Sequence, residues 1–261
     1  QRQKYPSLAR KIVKHSDIVL EVIDSRFIKD TRNLELEKDI KKQNKKIIFV
    51  LNKADMSENV KMSEDEIIEL TPRVIVSCTS RKGIRELRDK IKIISGTIKK
   101  PVDNRLNKVT VGVVGYPNTG KSSLINVLTG RKSAKTGKEA GFTKGLQKVK
   151  LTTEIMLLDS PGIISAKDYS SVNSALIAKH TKVSARDYSQ VKDPEIVVTT
   201  LMKEFPGVFE KFYKIDTEGD SEKLMEELGK QRYFLKKGGV IDEDKTARAI
   251  LKDWQDGKIK V

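Results

Sequence analysis

Gly115-Tyr-Pro-Asn-Thr-Gly-Lys-Ser122 is preceded by Val109-Thr-Val-Gly-Val-Val114 and followed by Leu124, Ile125, Val127 and Leu128. The first flank is a short β-branched run that reads as a buried strand, and the second has helical spacing. Gly-x4-Gly-Lys-Ser between a strand and a helix is the pattern of a loop that cradles phosphates. Its glycines let backbone N–H groups close on phosphate oxygens with no Cβ in the way. Lys121 is placed to reach the β- and γ-phosphates of a nucleotide, and the Ser122 hydroxyl to ligate Mg2+. The helix N-terminus adds a favourable dipole. Asn118, Thr119, Gly120 and Ser123 complete the loop residues expected at the nucleotide. The plainer alternative is a glycine-rich turn capping a helix, and the strand on the near side weighs against it.

Downstream, the apolar run Ile155-Met-Leu-Leu158 ends in Asp159-Ser-Pro-Gly162, 37 residues after Ser122. A carboxylate there can hold Mg2+ through water, and the Gly162 N–H can contact a γ-phosphate. Asp-x-x-Gly is common, so the spacing carries the reading. Thr143, in Gly141-Phe-Thr-Lys144, is a candidate second hydroxyl ligand for Mg2+, or else a surface threonine in a loop. Lys121, Thr143 and Gly162 are the candidate catalytic groups.

Upstream, Asn52-Lys-Ala-Asp55 follows the buried run Lys46-Ile-Ile-Phe-Val-Leu51. Guanine, unlike adenine, offers N1–H and N2–H2 side by side, and one carboxylate, Asp55, can accept both. The Asn52 amide can support neighbouring loops, and the Lys53 stem can cover the base plane. Ser77-Cys-Thr79 follows another apolar run and precedes an amphipathic stretch marked by Ile84, Leu87, Ile91 and Ile94. Ser77, Cys78 and Thr79 form a second candidate base loop, able to offer a backbone N–H to guanine O6.

These are the five guanine-nucleotide motifs of Ras-like GTPases in shifted order, with the base-recognition pair ahead of the phosphate pair. The chain resembles the circularly permuted GTPases that assist ribosome assembly, the YlqF/RbgA group and its archaeal relatives. Asp17-Ile-Val-Leu-Glu-Val-Ile-Asp-Ser-Arg26 resembles that family's D-I-V…D-A-R segment, with Ser25 in place of Ala. Leu235-Lys-Lys-Gly-Gly239 and Ala249-Ile-Leu-Lys-Asp253 resemble its C-terminal helical domain. The resemblance implies slow GTP hydrolysis, a switch role on a ribosomal subunit or rRNA, Mg2+ as cofactor, and K+ held at Asn118. It also implies a monomer whose helical part reorients with nucleotide state. Two departures stand out. Ile163 occupies the place where Ras-like enzymes carry a water-orienting Gln, and an alkyl chain cannot hydrogen-bond water. No Gly-His-Met-like sequence, linked to catalysis in the bacterial members, occurs in these residues.

A length of 261 residues fits one large domain, or one domain plus a smaller one, and the order of elements makes the fold α/β. Strands and helices alternate up to about residue 169, which implies a mostly parallel sheet covered on both faces. Beyond it, Leu201, Phe205, Phe209, Phe212, Tyr213, Leu224 and Leu228 have helical spacing. The expected division is a permuted nucleotide domain, 1–169, and an all-α domain, 170–261, for RNA or ribosome docking. Ser95 to Pro101 reads as a linker, and 131–145 as a mobile loop.

The 261 residues carry a formal charge of +16. Residues 1–170 hold 35 basic and 20 acidic side chains, whereas 171–261 hold 17 and 16. Such an excess favours a polyanionic partner, although abundant lysine also serves solubility or a thermophilic source. Tyr233 and Phe234, beside Lys236 and Lys237, either belong to the core or meet RNA. His15 reads as a helix-end residue and His180 as structural or exposed. One cysteine, Cys78, precludes an internal disulfide and fits a reducing cytoplasm. No secretory signal pattern and no apolar run of membrane-spanning length is present.

Overall fold

Ile18–Asp24 is buried at all seven positions. A strand with both faces covered belongs at the centre of a parallel sheet, and this one (β1) does. In the computed structural model, which describes residues 4–56, 62–98, 108–130, 147–159, 181–182 and 188–261, β1 is flanked by β2 (Lys46–Asn52) and β4 (Val109–Gly115). With β3 (Arg73–Ile75), β5 (Gln147–Lys150) and β6 (Ile155–Asp159), these form one six-stranded sheet of order β3-β2-β1-β4-β6-β5. All pairings are parallel except β5 with β6, which is antiparallel.

Alternate residues of β1 face opposite sides of the sheet. Ile18, Leu20 and Val22 join Val111 and Val113 beneath α5 (Ile84–Gly96) and α6 (Lys121–Thr129). Val19 and Val114 meet α1 (Lys4–His15) and α3 (Leu34–Lys42) on the other face, through Ile12, Val13, Leu36 and Ile40. Each such fully buried aliphatic side chain contributes about 1.5–3 kcal/mol. Two short helices, α2 (Ile28–Thr31) and α4 (Glu64–Glu69), were not anticipated. The start of α4 is a capping box in which Ser63 and Glu66 satisfy each other's backbone N–H.

The chain divides into two compact units, Gln1–Ser170 and Ser171–Val261. In the second, α7 (Pro194–Glu204), α8 (Val208–Tyr213), α9 (Ser221–Gln231) and α10 (Glu243–Gln255) gather around Trp254. Its indole stacks on Phe209, with centroids 5.4 Å apart, and donates a 2.9 Å hydrogen bond to the Lys182 carbonyl. Asp253 is buried and held by Arg232, Lys258 and the Tyr213 hydroxyl.

Some sequence expectations shift. The proposed linker begins too early, because α5 runs through Gly96 and closes on Thr97. The Tyr233–Phe234 pair is not a pair of core aromatics: Tyr233 is 83% exposed, while Phe234 is half-buried beneath the Lys245 ammonium. His15 ends α1 and is exposed. The 131–145 loop and His180 lie outside the described residues. No helix among the described residues is long and apolar enough to cross a membrane.

Candidate functional site

Because β1, β2, β4 and β6 run parallel, their C-terminal ends share one edge of the sheet. Asp24 pairs with Asn52 across β1 and β2, and Val22 pairs with Gly115 across β1 and β4. The chain leaves β1 toward β2 and returns on its other side at β4. That is a topological switch point, where open α/β sheets hold ligands in the crevice beyond the strand ends.

The phosphate loop enters this crevice at Gly115, whose φ is 152°. A Cβ there would strike the Val22 carbonyl of the neighbouring strand, so the residue type is set by that close approach. Asn118 follows at the exposed tip with φ 58°, then buried Thr119, then Gly120 with φ 95°. The Thr119 hydroxyl and the Lys121 ammonium both donate to the Tyr116 carbonyl, at 2.9 and 2.7 Å. Lys121, only 5% exposed, therefore folds back across the loop it terminates. Ser122 and Ser123 stand exposed in the first turn of α6.

The base-recognition segment touches this loop directly. Asn52 is 2% exposed, and its Nδ2 donates to the Thr119 carbonyl at 2.8 Å. A side chain at Gly120 would collide with that same Nδ2. Lys53 takes φ 65°, and Asp55 sits half-buried on a turn of 3-10 helix, Ala54–Met56. The Ala54 N–H donates to the Val76 carbonyl at 3.2 Å, which ties this segment to the second base loop. There Ser77 is buried, its Oγ accepting the Ser80 N–H at 3.0 Å. Cys78 is half-buried and Thr79 exposed. Burial pushes the Cys78 thiol up to about 11, which disfavours the thiolate.

The structure thus brings Asn52, Lys53, Asp55, Ser77, Cys78, Thr79 and Asn118 to Ser123 to one edge. Asp159 ends β6, next to β4. Thr143, Gly162 and Ile163 lie outside the described residues. No trio of His, Cys, Asp or Glu among the described residues is placed to hold a metal alone. Of the donors the sequence assigns to Mg2+, the described side chains supply the Ser122 hydroxyl, an oxygen of the kind Mg2+ takes beside phosphates and water.

Sequence reading assigned no role to Asp24 and Arg26, at the end of β1. Asp24 accepts from the Arg26 Nε and Nη2 at 3.0 and 2.9 Å, and from the Lys53 ammonium at 2.9 Å. Burial alone would raise the Asp24 carboxyl, but Arg26 and Lys53 more than offset this and hold it below its usual range. Burial lowers the Lys53 ammonium, partly countered by Asp24. The available signal was a charged pair, Asp24 and Arg26, closing a strand that is apolar apart from Glu21.

Residues 110–198 match the family described as 50S ribosome-binding GTPase. Over 253 residues the chain is 37% identical to an uncharacterized GTP-binding protein of Methanocaldococcus jannaschii, covering 97% of this chain and 65% of that protein. It is 29% identical to the GTPase grn1 of Schizosaccharomyces pombe, covering 99% of this chain and 61% of the relative. The nuclear GTP-binding protein NUG1 of Saccharomyces cerevisiae is 28% identical, with 99% and 55% covered. The chain thus spans a little over half to about two thirds of these relatives. GNP-bound YlqF from T. maritima has the same fold, with TM-score 0.66, 22% identity, and 99% and 96% of the two chains covered. Its GDP-bound form gives 0.63. Asn52–Asp55 precede Gly115–Ser122 along the chain; residues 110–198 carry the matched GTPase domain, and the fold over nearly the whole length is that of YlqF.

Proposed function

We propose that this protein binds GTP at the C-terminal edge of its sheet, hydrolyses it slowly, and acts as a switch in ribosomal-subunit assembly by docking on rRNA. The observation that carries the nucleotide part is the Asn52–Thr119 hydrogen bond. Through it, residues suited to guanine and residues suited to phosphate form one site, although 67 positions separate them. Asp55 accepts from the guanine N1–H and N2–H2, and the Ser77–Thr79 backbone faces O6. Lys121 exchanges the Tyr116 carbonyl for phosphate oxygens. Ser122 and Asp159, with Thr143, are the groups that would hold Mg2+, which when bound offsets negative charge between the β- and γ-phosphates. Ile163 leaves the attacking water without a protein partner at that position, which accounts for slow turnover.

Base specificity has a direct test. Asp55→Asn should lose GDP affinity by more than about tenfold and gain xanthosine diphosphate, since xanthine presents an acceptor where guanine presents a donor. Retained GDP binding, or tighter ATP than GTP binding in the parent protein, would rule the reading out.

The RNA part rests on the charge of residues 1–170 and on the Tyr233 turn. Tyr233 has φ 54° and is exposed beside Lys236 and Lys237, available to stack on a base while lysines meet phosphates. The same turn would serve a constitutive RNA-binding protein with a weak GTPase. Cosedimentation with ribosomal subunits separates the two: the switch predicts stronger retention with a non-hydrolysable GTP analogue than with GDP, and the constitutive binder predicts equal retention.

A further inference from the structure

We propose that Asp24 and Arg26 are positioning residues for Lys53, and through it determinants of guanine-nucleotide affinity lying outside both nucleotide loops. The proposal rests on the reading that Asn52–Asp55 holds guanine.

Asp24 is the last residue of β1 and is fully buried. Its Oδ1 accepts the Arg26 backbone N–H and Nε at 3.1 and 3.0 Å. Its Oδ2 accepts Arg26 Nη2 and Lys53 Nζ, both at 2.9 Å. The Arg26 side chain is 1% exposed and that of Lys53 15%. One buried carboxylate needs one cation, and the two-pronged contact with Arg26 already supplies it. Lys53 is therefore a second cation on the same carboxylate, and with Asp55, which also acts on its ammonium, the group is balanced in formal charge.

Geometry says what the second cation is for. Lys53 stands between Asn52, which is bonded to the phosphate loop, and Asp55. Its φ of 65° is uncommon for a residue with a side chain and turns the stem off the line of β2. A lysine stem is flexible, and tying its ammonium to Asp24 fixes the four-carbon chain before any base arrives. Affinity rises when ordering is completed in advance. Asp24 itself is pinned, since its N–H donates to Thr31 Oγ1 at 3.1 Å and the next residue's N–H donates to the Asn52 carbonyl at 2.8 Å. Arg26 thus fixes Asp24, and Asp24 fixes Lys53.

The test is a double-mutant cycle read by calorimetric titration with GDP, with tripolyphosphate as a ligand that lacks the base. Asp24→Asn and Lys53→Met should each weaken GDP about tenfold, and the double variant should be no weaker than Lys53→Met alone. Tripolyphosphate affinity should stay within about twofold of the parent for Asp24→Asn, because the phosphate loop is untouched. Additive losses, or an equal loss for tripolyphosphate, would make Asp24 merely structural and overturn the proposal. Should Asp24→Asn fail to fold, Arg26→Lys keeps the charge, removes the fork, and must show the same non-additivity with Lys53→Met. A parent protein that binds tripolyphosphate but not GDP would discard the underlying guanine reading, and this proposal with it. A parent that binds GDP while the losses add would discard the proposal alone.

Discussion

Glu21 sits at the middle of β1, fully buried. Its Oε1 accepts the Asn33 N–H at 2.8 Å, while Oε2 has no partner. Burial, reinforced by the nearby Glu37 carboxylate, pushes Glu21 up to about 8, from 4.5 for an ordinary glutamate. The folded protein then holds a proton that the unfolded chain releases at neutral pH. A raised folded-state pKa means stability is full below about pH 4.5 and is lost as pH climbs toward 8. The loss approaches about 1.4 kcal/mol per pH unit in that window. Glu21→Gln keeps an acceptor for Asn33 and removes the titration. Its unfolding free energy should vary less between pH 5 and 8 than the parent's and exceed it at the alkaline end, by about 1–3 kcal/mol, as read by denaturant titration. Parallel curves for the two proteins would show that Glu21 is already ionised in the fold.

At the scale of elements, the phosphate loop and helix α6 act as one piece. The loop's tip is Asn118, held at positive φ and exposed, with Thr119 and Lys121 anchored behind it. A side-chain carbonyl in that place is a hard oxygen donor suited to a monovalent cation. K+ there would offset charge building on the phosphates, as an arginine finger does elsewhere. GTP turnover should therefore be several-fold faster in KCl than in NaCl at equal ionic strength, and Asn118→Ala should remove the difference. Equal rates in the two salts would sink this. The loop was readable in advance because glycine spacing, an apolar strand and a helix coincide in one short window. Helix α4 was not, although Ser63 and Glu66 spell a capping box, because no apolar periodicity follows them. The end of α5 was misplaced for the opposite reason: Gly96 looks like punctuation, yet it continues the helix and the chain turns only at Thr97.

For the molecule as a whole, parallel order was legible because strands and helices alternate up to about residue 169, and the strand ends were legible where buried runs lead into Asn52, Gly115 and Asp159. In a parallel sheet such ends must converge, so one strand pattern yields both architecture and site. The Asp24–Arg26–Lys53 cluster escaped notice because ion pairing between β1 and β2 depends on register, and register is a property of the folded sheet. Tyr233 stays open between core and surface in the sequence for a related reason, since an aromatic beside helical spacing gives no sign of which way its backbone turns. The concentration of net charge in residues 1–170 predicts that subunit association in the cosedimentation experiment weakens steeply with salt. The other unit carries a different asset. Trp254 is the single tryptophan of the chain, sealed against Phe209 far along the sequence from every nucleotide motif. Its fluorescence is a built-in reporter of residues 171–261, so a change in emission when GTP is added would be a message passed from one unit to the other.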